Sequence, residues 1–417
     1  MAAEAKGGSA YPHLQINESE MFDSKLGGDY KLHDVAHSPT SAAGRRDSRS
    51  GAASAAGSKH GAGGPRLQAS LTVSDNSSEI FCVRFSPDGK FLAAGCGDGA
   101  VRVFAVATGR LAYNLQGGSA SALPCTALRF RPATAASKTR NVLVAVGAGG
   151  TVQHWHMTSG KCLSTLEADT QLYALDYRGD GGAFAAAGKD HTVRVYDETT
   201  KQEVARMKGG AGYGASATAG HSNRVFALKY VPRERDMVLT GGWDNTVQFW
   251  DARAGHSVRS IYGPHISGDA LDVCNGEVLT GSWRPDDPLE LWDYGSGKRI
   301  SAVPWNGGSG GGGGGGAARP TLLYAAQLSG GRGDARARYA AAGGSGANEA
   351  RVFDRRNGNA LVGTVAGLSR GVFTLDFMPC GGGSAQDEGA PLKLAVAGGD
   401  ASIRIIDIIE EDAGELY

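Results

Sequence analysis

The feature that most restricts the fold of this chain is a short strand-like segment that recurs seven times. Each copy alternates apolar and polar residues and ends near an aromatic residue that is often followed by Asp. Period-two alternation is typical of β-strands, and Gly, Pro and β-branched residues interrupt every window that could form a helix. The copies are VRVFA (101–105), VQHWH (152–156), VRVYD (193–197), VQFWD (247–251), LELWD (289–293), ARVFD (350–354) and IRIID (403–407).

A second strand pattern precedes each copy and also has seven members. The repeating unit therefore contains several strands and a Gly/Asp turn, and its length fits a four-stranded unit of roughly 40–45 residues. Longer units contain evident insertions at 209–219 and 307–316. The members of this second pattern are CVRFSP (82–87), ALRFRP (127–132), ALDYRG (174–179), ALKYVP (227–232), ALDV (270–273), AAQL (325–328) and TLDFMP (374–379).

Residues 1–64 lack both patterns and are rich in Ala, Gly, Ser and charged residues. Such a composition cannot bury enough apolar surface to offset its ordering entropy, which predicts a disordered low-complexity tail ahead of an all-β domain at 65–417. Within this tail, residues 11–26 (YPHLQINESEMFDSKL) mix aromatic, apolar and acidic side chains. That mixture suits a segment that folds on a partner, and a solvated tail is the alternative.

The composition restricts the classes of partner and the cellular compartment that we expect for this protein. The chain has 42 basic and 42 acidic residues, so no general positive field predicts binding to nucleic acid or to an acidic membrane. No apolar run reaches the ~18 residues of a membrane span, and the N-terminus does not resemble a secretory signal. Six scattered cysteines without a CxxC pair predict neither a zinc site nor a disulfide framework. We expect a cytoplasmic protein, with a cytoskeletal, ciliary or nuclear location as alternatives.

The fourth unit carries the fullest set of polar residues, in GHSNRVFALKYVP and MVLTGGWDNTVQFWDARAG. In these residues, and over about 67–407, the chain resembles the WD40-repeat family. The resemblance implies a seven-bladed WD40-type β-propeller. It also implies that one hydrogen-bonded chain connects the strands of this blade, because a buried imidazole, hydroxyl and indole must each find a partner. The residues that take these roles here are His221, Thr240, Asp244 and Trp250.

Other copies depart from the family pattern, and the ring must also be closed. Phe104, Tyr196, Phe353 and Ile406 stand where Trp is expected, so we expect those blades to depend mainly on packing. The seventh copy has no obvious outer strand. The segment RLQASLTV (66–73) is predicted to supply it and to close the ring, and IIEEDAGELY at the C-terminus is the alternative.

Two indoles mark a candidate partner-binding rim. In the geometry that the resemblance implies, the residue before the turn Asp projects from one rim of the propeller. Trp243 holds this position in blade four and Trp283 the equivalent one in blade five, with Arg284 beside it; blade three offers Lys189. Trp and Arg are enriched at binding hot spots. Packing of one or both indoles against their own rim is the alternative interpretation.

A second candidate contact is the sequence WDAR at 250–253. It resembles the WDxR signature of substrate receptors of cullin-RING ubiquitin ligases, which implies contact with the ligase adaptor through Asp251 and Arg253. Since Asp-x-Arg is frequent after the third strand of ordinary propellers, a salt bridge within the turn is the alternative.

No constellation of residues with catalytic or metal-binding spacing accompanies these features. His154 and His156 share a strand face but have no Cys or acidic partner in sequence, and neither GxSxG with a triad nor a P-loop is present. We therefore expect no enzyme activity, no cofactor and no metal. The predicted function is a protein-interaction scaffold, a monomeric propeller within a larger complex. Alternatives are a ubiquitin-ligase substrate receptor, a component of a ciliary or cytoskeletal assembly, and a propeller that binds a ligand in its central channel.

Overall fold

The computed structural model describes residues 64–74, 78–116, 123–132, 141–210, 219–305, 320–330, 337–379 and 391–410. In these residues the chain forms seven four-stranded antiparallel sheets. The first strand of each sheet contacts the first strand of the next, and the last sheet contacts the first, so the sheets form a closed ring of blades. The predicted all-β, seven-bladed propeller is confirmed.

Each blade is an antiparallel meander that runs from an inner strand near the axis to an outer strand at the periphery. The strands of blades 1 to 4 are β2 (Ile80–Phe85), β3 (Phe91–Cys96), β4 (Val101–Ala105) and β5 (Leu111–Leu115); β6 (Cys125–Phe130), β7 (Val142–Gly147), β8 (Thr151–His156) and β9 (Lys161–Glu167); β10 (Leu172–Tyr177), β11 (Ala183–Gly188), β12 (Val193–Asp197) and β13 (Glu203–Met207); and β14 (Val225–Tyr230), β15 (Met237–Gly242), β16 (Thr246–Asp251) and β17 (His256–Tyr262). Those of blades 5 to 7 are β18 (Leu271–Cys274), β19 (Glu277–Gly281), β20 (Leu289–Asp293) and β21 (Arg299–Ala302); β22 (Leu322–Leu328), β23 (Tyr339–Ser345), β24 (Ala350–Asp354) and β25 (Ala360–Val365); and β26 (Val372–Phe377), β27 (Leu392–Gly398), β28 (Ile403–Ile409) and β1 (Arg66–Val73).

Parts of the sequence-based interpretation fall outside the described residues. The predicted disordered tail lies outside them except for Gly64, and so do the segment 11–26 and the insertion 307–316. Of the insertion 209–219, only its two ends are described. Two single-turn 3-10 helices, Met157–Ser159 and Arg355–Asn357, follow third strands.

The second strands are rich in small residues because neighbouring blades cover both of their faces. All six residues of β11 (AFAAAG) are buried. On β3, a Cβ at Gly95 would lie 2.4 Å from Cys82 Sγ and 2.7 Å from Cys125 Sγ. The inner strands of blades 1 and 2 therefore approach β3 too closely for any side chain at this position.

The ring closes at blade 7, whose outer strand comes from the residues before blade 1. Strand β1 pairs antiparallel with β28 over the registers Arg66↔Ile409 to Val73↔Ile403. Val73 is 7% exposed and packs in a cluster that joins blade 7 to blade 1 through Ile405 and Val83. Two sequence-distant segments thus share one sheet and one apolar seam.

We expect this seam to be sensitive to charge. Val73→Asp places a carboxylate without a partner in the apolar cluster and should lower the free energy of unfolding by about 2–4 kcal/mol. Thr72→Asp is the matched control, since Thr72 is exposed on the opposite face of β1, and should change it by less than about 0.5 kcal/mol. Urea denaturation of the full chain measures both, and equal effects would contradict the role of β1 in closure.

Candidate functional site

A continuous hydrogen-bonded chain crosses blade 4. The His221 Nε2 and Thr240 Oγ1 atoms are 2.6 Å apart, and His221 Nδ1 lies 2.8 Å from Asp244 Oδ2. The Trp250 indole donates to Thr240 Oγ1 at 2.7 Å. Trp250 and Thr240 are completely buried. The four side chains that the WD40 resemblance singled out therefore lie together, and Thr240 contacts two of the other three.

The turn carboxylate of this chain is held in its charged form. Burial by itself would raise the pKa of Asp244, but hydrogen bonds from His221, from the Ser222 N–H and from Thr246 lower it below its ordinary value. The arrangement connects the turn to the inner and third strands. Both carboxylate oxygens of Asp244 accept hydrogen bonds from the protein itself. This favours a structural role for Asp244 and His221 over an acid–base role.

Blades 1 and 3 use an ion pair where blade 4 uses the His–Thr–Trp chain. Arg102 Nη2 lies 2.5 Å from Asp98 Oδ2, and Arg194 Nη2 lies 2.5 Å from Asp190 Oδ2. Each guanidinium contacts both oxygens of its carboxylate. The expectation that these blades depend mainly on packing therefore missed a bidentate pair that fixes the same turn.

Trp243 lies on the rim among aromatic and cationic side chains. Its indole donates to Ser267 Oγ at 2.9 Å, and its ring stacks on His265 at 6.4 Å between centroids. Phe226 packs against the Trp243 ring at 5.0 Å, and the Arg224 guanidinium lies 5.2 Å from the ring centroid. Trp243 is nevertheless only half-buried.

The three remaining rim residues have different surroundings. Trp283 is half-buried and its indole N–H has no hydrogen-bond partner among the described residues. Arg284 is held within its own blade, 2.6 Å from Glu290 and bonded to three backbone carbonyls. Lys189 is exposed on the corresponding turn of blade 3. The backbone N–H of Trp283 donates to the His265 carbonyl at 2.8 Å, so His265 contacts both the Trp243 ring and the Trp283 backbone.

A repeated β-bulge creates a larger aromatic feature on the same rim. Six inner strands carry a register shift at the same place, and an extra residue in a bulge redirects its side chain. In five of the six the extra residue is aromatic, and in blade 2 it is Thr126. The aromatic residues are Phe81, Tyr173, Phe226, Tyr324 and Phe373.

These rings connect with the rim indoles into a chain of contacts that we call the aromatic arc. Tyr173 stacks on Phe226 at 4.9 Å, and Phe226 leads to Trp243 and His265. Trp283 then contacts Tyr324 at 6.5 Å. The arc passes through every blade except blade 2, and its members are Tyr173, Phe226, Trp243, His265, Trp283, Tyr324, Phe373 and Phe81.

The inner strands also present one polar side chain per blade at a common register. Several of these groups connect adjacent blades: Asp176 accepts from the Tyr230 N–H at 2.9 Å, and Asp376 accepts from the Phe85 N–H at 2.7 Å. The set consists of Arg84, Arg129, Asp176, Lys229, Asp272, Gln327 and Asp376.

One carboxylate connects blades on opposite sides of the propeller axis. Asp269 of blade 5 forms ion pairs with Arg84 of blade 1 and with Arg129 of blade 2, the latter at 2.9 Å. Burial, followed by the neighbouring Arg129 charge, lowers the pKa of Arg84 to about 10. These ion pairs connect blade 5 with blades 1 and 2 across the ring of inner strands.

The two histidines on β8 have separate partners. His154 Nε2 lies 3.2 Å from Glu198, and His156 Nδ1 lies 2.6 Å from Ser159 Oγ. Burial would raise the pKa of Glu198, but hydrogen bonds from His154 and Lys201 lower it to about 2. In the described part of the chain, no group of three or more His, Cys, Asp or Glu residues could hold a metal ion.

Arg253 forms ion pairs with Asp251 of its own turn and with Asp236 of the neighbouring turn of blade 4, on the opposite rim. Its Nε lies 3.3 Å from Asp236, and its Nη2 lies 3.5 Å from Asp251. The side chain is 76% exposed, so these contacts leave most of the guanidinium accessible to solvent.

The sequence model of the WD domain, G-beta repeat, matches residues 67–104, 160–197 and 215–251. These matches lie in the seven-bladed ring described above. Three segments of the chain therefore match the WD40 repeat, in agreement with the seven-bladed ring.

Relatives of this chain include the WD repeat-containing protein slp1 of Schizosaccharomyces pombe, 23% identical over 231 residues, which are 54% of this chain and 43% of the relative. The target of rapamycin complex subunit wat1 of the same organism is 31% identical over 156 residues, 37% of this chain and 46% of the relative. The cilia- and flagella-associated protein 52 of Chlamydomonas reinhardtii is 27% identical over 235 residues, 54% of this chain and 34% of the relative. The chain thus spans less than half the length of these relatives.

The only helices among the described residues are short, and none has the length and apolar character that crossing a membrane requires.

The hydrogen-bonded side chains of blade 4 can be tested by comparing two buried threonines. Thr240→Val removes the partner of both His221 and Trp250 and should destabilise the protein by about 2–4 kcal/mol. Thr280→Val is the matched control, because Thr280 is equally buried and accepts from the Trp292 indole at 2.9 Å; its cost should be about 1–2 kcal/mol. Equilibrium denaturation measures the difference, and a smaller cost at Thr240 would contradict the central position of its hydroxyl.

Proposed function

We propose that this protein is a non-enzymatic interaction scaffold that binds partner peptides or domains on the rim of blades 3 to 5. The observation that carries the proposal is the placement of Trp243 and Trp283 on corresponding turns of adjacent blades, joined through His265. Both indoles are half-buried, so each retains an accessible face. Partly exposed Trp residues on a rigid support are typical binding anchors, because little side-chain entropy is lost on binding.

The surroundings of the indoles support the same function. Lys189 is exposed on the turn of blade 3, and Arg224 lies above Trp243, so cationic groups flank the aromatic surface. Arg284 contributes by holding the turn of blade 5 through Glu290. We therefore assign it a positioning role beside Trp283.

The test compares two sets of aromatic substitutions in the full chain. Trp243→Ala combined with Trp283→Ala should remove partners that wild type retains in affinity purification, with losses of tenfold or more. Tyr262→Ala is the matched control, because Tyr262 is 74% exposed on the outer strand β17, and it should retain them. Identical partner sets for wild type and the double variant would refute this surface, provided that circular dichroism shows the variant to be folded.

A substrate receptor of a cullin-RING ubiquitin ligase is the second candidate. The accessible guanidinium of Arg253 favours it, since a residue with 76% exposure can contact an adaptor. One relative, from Arabidopsis thaliana, is described as cell division cycle 20.1, cofactor of APC complex, and is 22% identical over 54% of this chain. The name of this relative describes it as a cofactor of the APC complex.

For this candidate, Arg253→Ala should reduce co-purification of the ligase adaptor at least tenfold. Arg233→Ala is the matched control, because Arg233 is also exposed and lies on the same rim of blade 4. Unchanged adaptor recovery with Arg253→Ala would discard the receptor function. A role in a ciliary or cytoskeletal assembly remains a third proposal, supported by the similarity to the cilia- and flagella-associated protein 52.

A further inference from the structure

We propose that Cys82 and Cys125 form a disulfide between blades 1 and 2 when the protein is exposed to a hydroperoxide. The two cysteines are 43 residues apart in sequence and belong to no CxxC motif. The fold brings them together, because Cys82 lies on β2 and Cys125 begins β6, and these inner strands of adjacent blades pack against each other. The inference goes beyond the proposed function and does not depend on the rim.

A side chain is missing at the place where the two thiols meet. A Cβ at Gly95 of β3 would lie 2.4 Å from Cys82 Sγ and 2.7 Å from Cys125 Sγ. The sulfur atoms are therefore separated by no more than about 5 Å, against about 2 Å in a disulfide. Cys82 Sγ also lies 3.9 Å from the Cys125 carbonyl oxygen. Both thiols thus face one small space, and the bond requires them to approach each other by about 3 Å at most.

Packing encloses the pair without sealing it completely. Cys82 and Cys125 are each 4% exposed, whereas Cys96, on the same blade as Cys82, is 0% exposed. The surrounding cluster is apolar and includes Ala93 and Leu128. Local opening of a packed seam admits a molecule of the size of hydrogen peroxide more readily than a bulky thiol reagent, which predicts a selectivity that can be measured.

The surroundings stabilise the thiolate of Cys82, which is the form that reacts with a hydroperoxide. Burial by itself raises the pKa of Cys82, but the hydrogen bond with Cys125 and the charges of Arg84 and Arg129 lower it below its ordinary value. The same hydrogen bond, followed by burial, raises the pKa of Cys125. Cys82 is therefore the residue that attacks the oxidant, and Cys125 is the one that resolves the product.

The two guanidinium groups are themselves engaged by carboxylates. Asp269 pairs with both Arg84 and Arg129. Asp376 lies 3.8 Å from Arg84, and Asp176 lies 3.1 Å from Arg129. These carboxylates offset part of the positive potential at the nearby thiol. The charges thus determine which sulfur reacts first, whereas the short separation of the sulfur atoms is what allows the bond.

Two steps convert the pair into a disulfide, with hydrogen peroxide as the hydroperoxide. The Cys82 thiolate attacks one oxygen, the O–O bond breaks, and the departing hydroxide takes up the proton that Cys82 lost, so that water leaves and Cys82 becomes a sulfenic acid. The Cys125 sulfur then attacks the Cys82 sulfur, the S–O bond breaks, and the hydroxide leaves as water with the proton of the Cys125 thiol. The two thiols lose two electrons in total, and the peroxide is reduced to two molecules of water.

Two other cysteines serve as internal controls. Burial raises the pKa of Cys96 to about 11, and its Sγ lies 3.7 Å from the Ala94 carbonyl oxygen. Cys162 is exposed on the outer strand β9. Cys96 therefore reports the reaction of a buried thiol without a stabilised thiolate, and Cys162 reports the reaction of an accessible one.

The experiment oxidises the full chain under native conditions. Fully reduced protein is freed of reductant, treated with hydrogen peroxide, quenched with catalase, unfolded in iodoacetamide and digested for mass spectrometry without reduction. Peptides linked through Cys82 and Cys125 should form at least tenfold faster than any other linked pair, and Cys96 should be recovered alkylated. A bulky aromatic disulfide reagent should instead modify Cys162 at least tenfold faster than either member of the pair.

Two substitutions separate the steps of the reaction. In Cys125→Ser, oxidation should stop at the sulfenic acid of Cys82, which dimedone traps. In Cys82→Ser, oxidation of Cys125 should be at least tenfold slower than oxidation of Cys82 in Cys125→Ser. Cys96→Ser is the matched control, because it also replaces a buried cysteine of blade 1, and the disulfide should form in it at the wild-type rate. Circular dichroism verifies that each variant is folded.

The bond should also stabilise the ring, because it closes a loop across two blades and so restricts the unfolded chain. Oxidised wild type should unfold at a higher urea concentration than reduced wild type, dithiothreitol should abolish the difference, and Cys125→Ser should show no increase. Absence of the linked peptides after native oxidation of wild type, or their formation only in urea, would overturn the inference. A urea midpoint that does not rise in the linked protein would contradict it as well, since the bond would then strain the blades.

Discussion

The requirement that both faces of every sheet be covered determines the rest of this structure. The second strands are buried on both faces, as β11 shows, so no blade can be stable without neighbours on both sides. A ring meets this requirement for all seven blades at once, provided that its ends are joined. The pairing of β1 with β28 and the apolar cluster around Val73 and Ile405 make that junction. The rigid positions of the rim turns depend on it.

The repeated strand patterns of the sequence were sufficient to predict the architecture, because period-two alternation and seven copies leave few alternative folds. The hydrogen-bonded residues of blade 4 could be named as well, since each has a distinctive side chain and a family position. The arginine pairs of blades 1 and 3 were missed. Their signal, an Asp followed four residues later by Arg in GDGAVR (97–102) and KDHTVR (189–194), is visible in the sequence.

The aromatic arc was missed for a different reason. In five of the inner strands, the first-strand pattern begins one residue after the aromatic residue that forms the bulge, as with Phe226 before ALKY and Tyr173 before ALDY. A search for strictly alternating residues leaves the bulged residue out of the strand pattern. That extra residue is nevertheless the one whose aromatic side chain the bulge directs to the rim. The contact of Asp269 with Arg84 and Arg129 could not be predicted from local patterns, because the partners are 185 and 140 residues apart and meet only when the ring closes.

The carboxylate of Asp269 has a mechanical consequence for the ring. It ties blade 5 to the two blades on the far side of the axis, so the circle of inner strands has a cross-brace in addition to its circumferential contacts. A ring held only at its perimeter can be deformed into an ellipse by loads on opposite sides, whereas a braced ring resists such ovalisation. A load applied to blade 5 would therefore be shared directly with blades 1 and 2 on the far side of the ring.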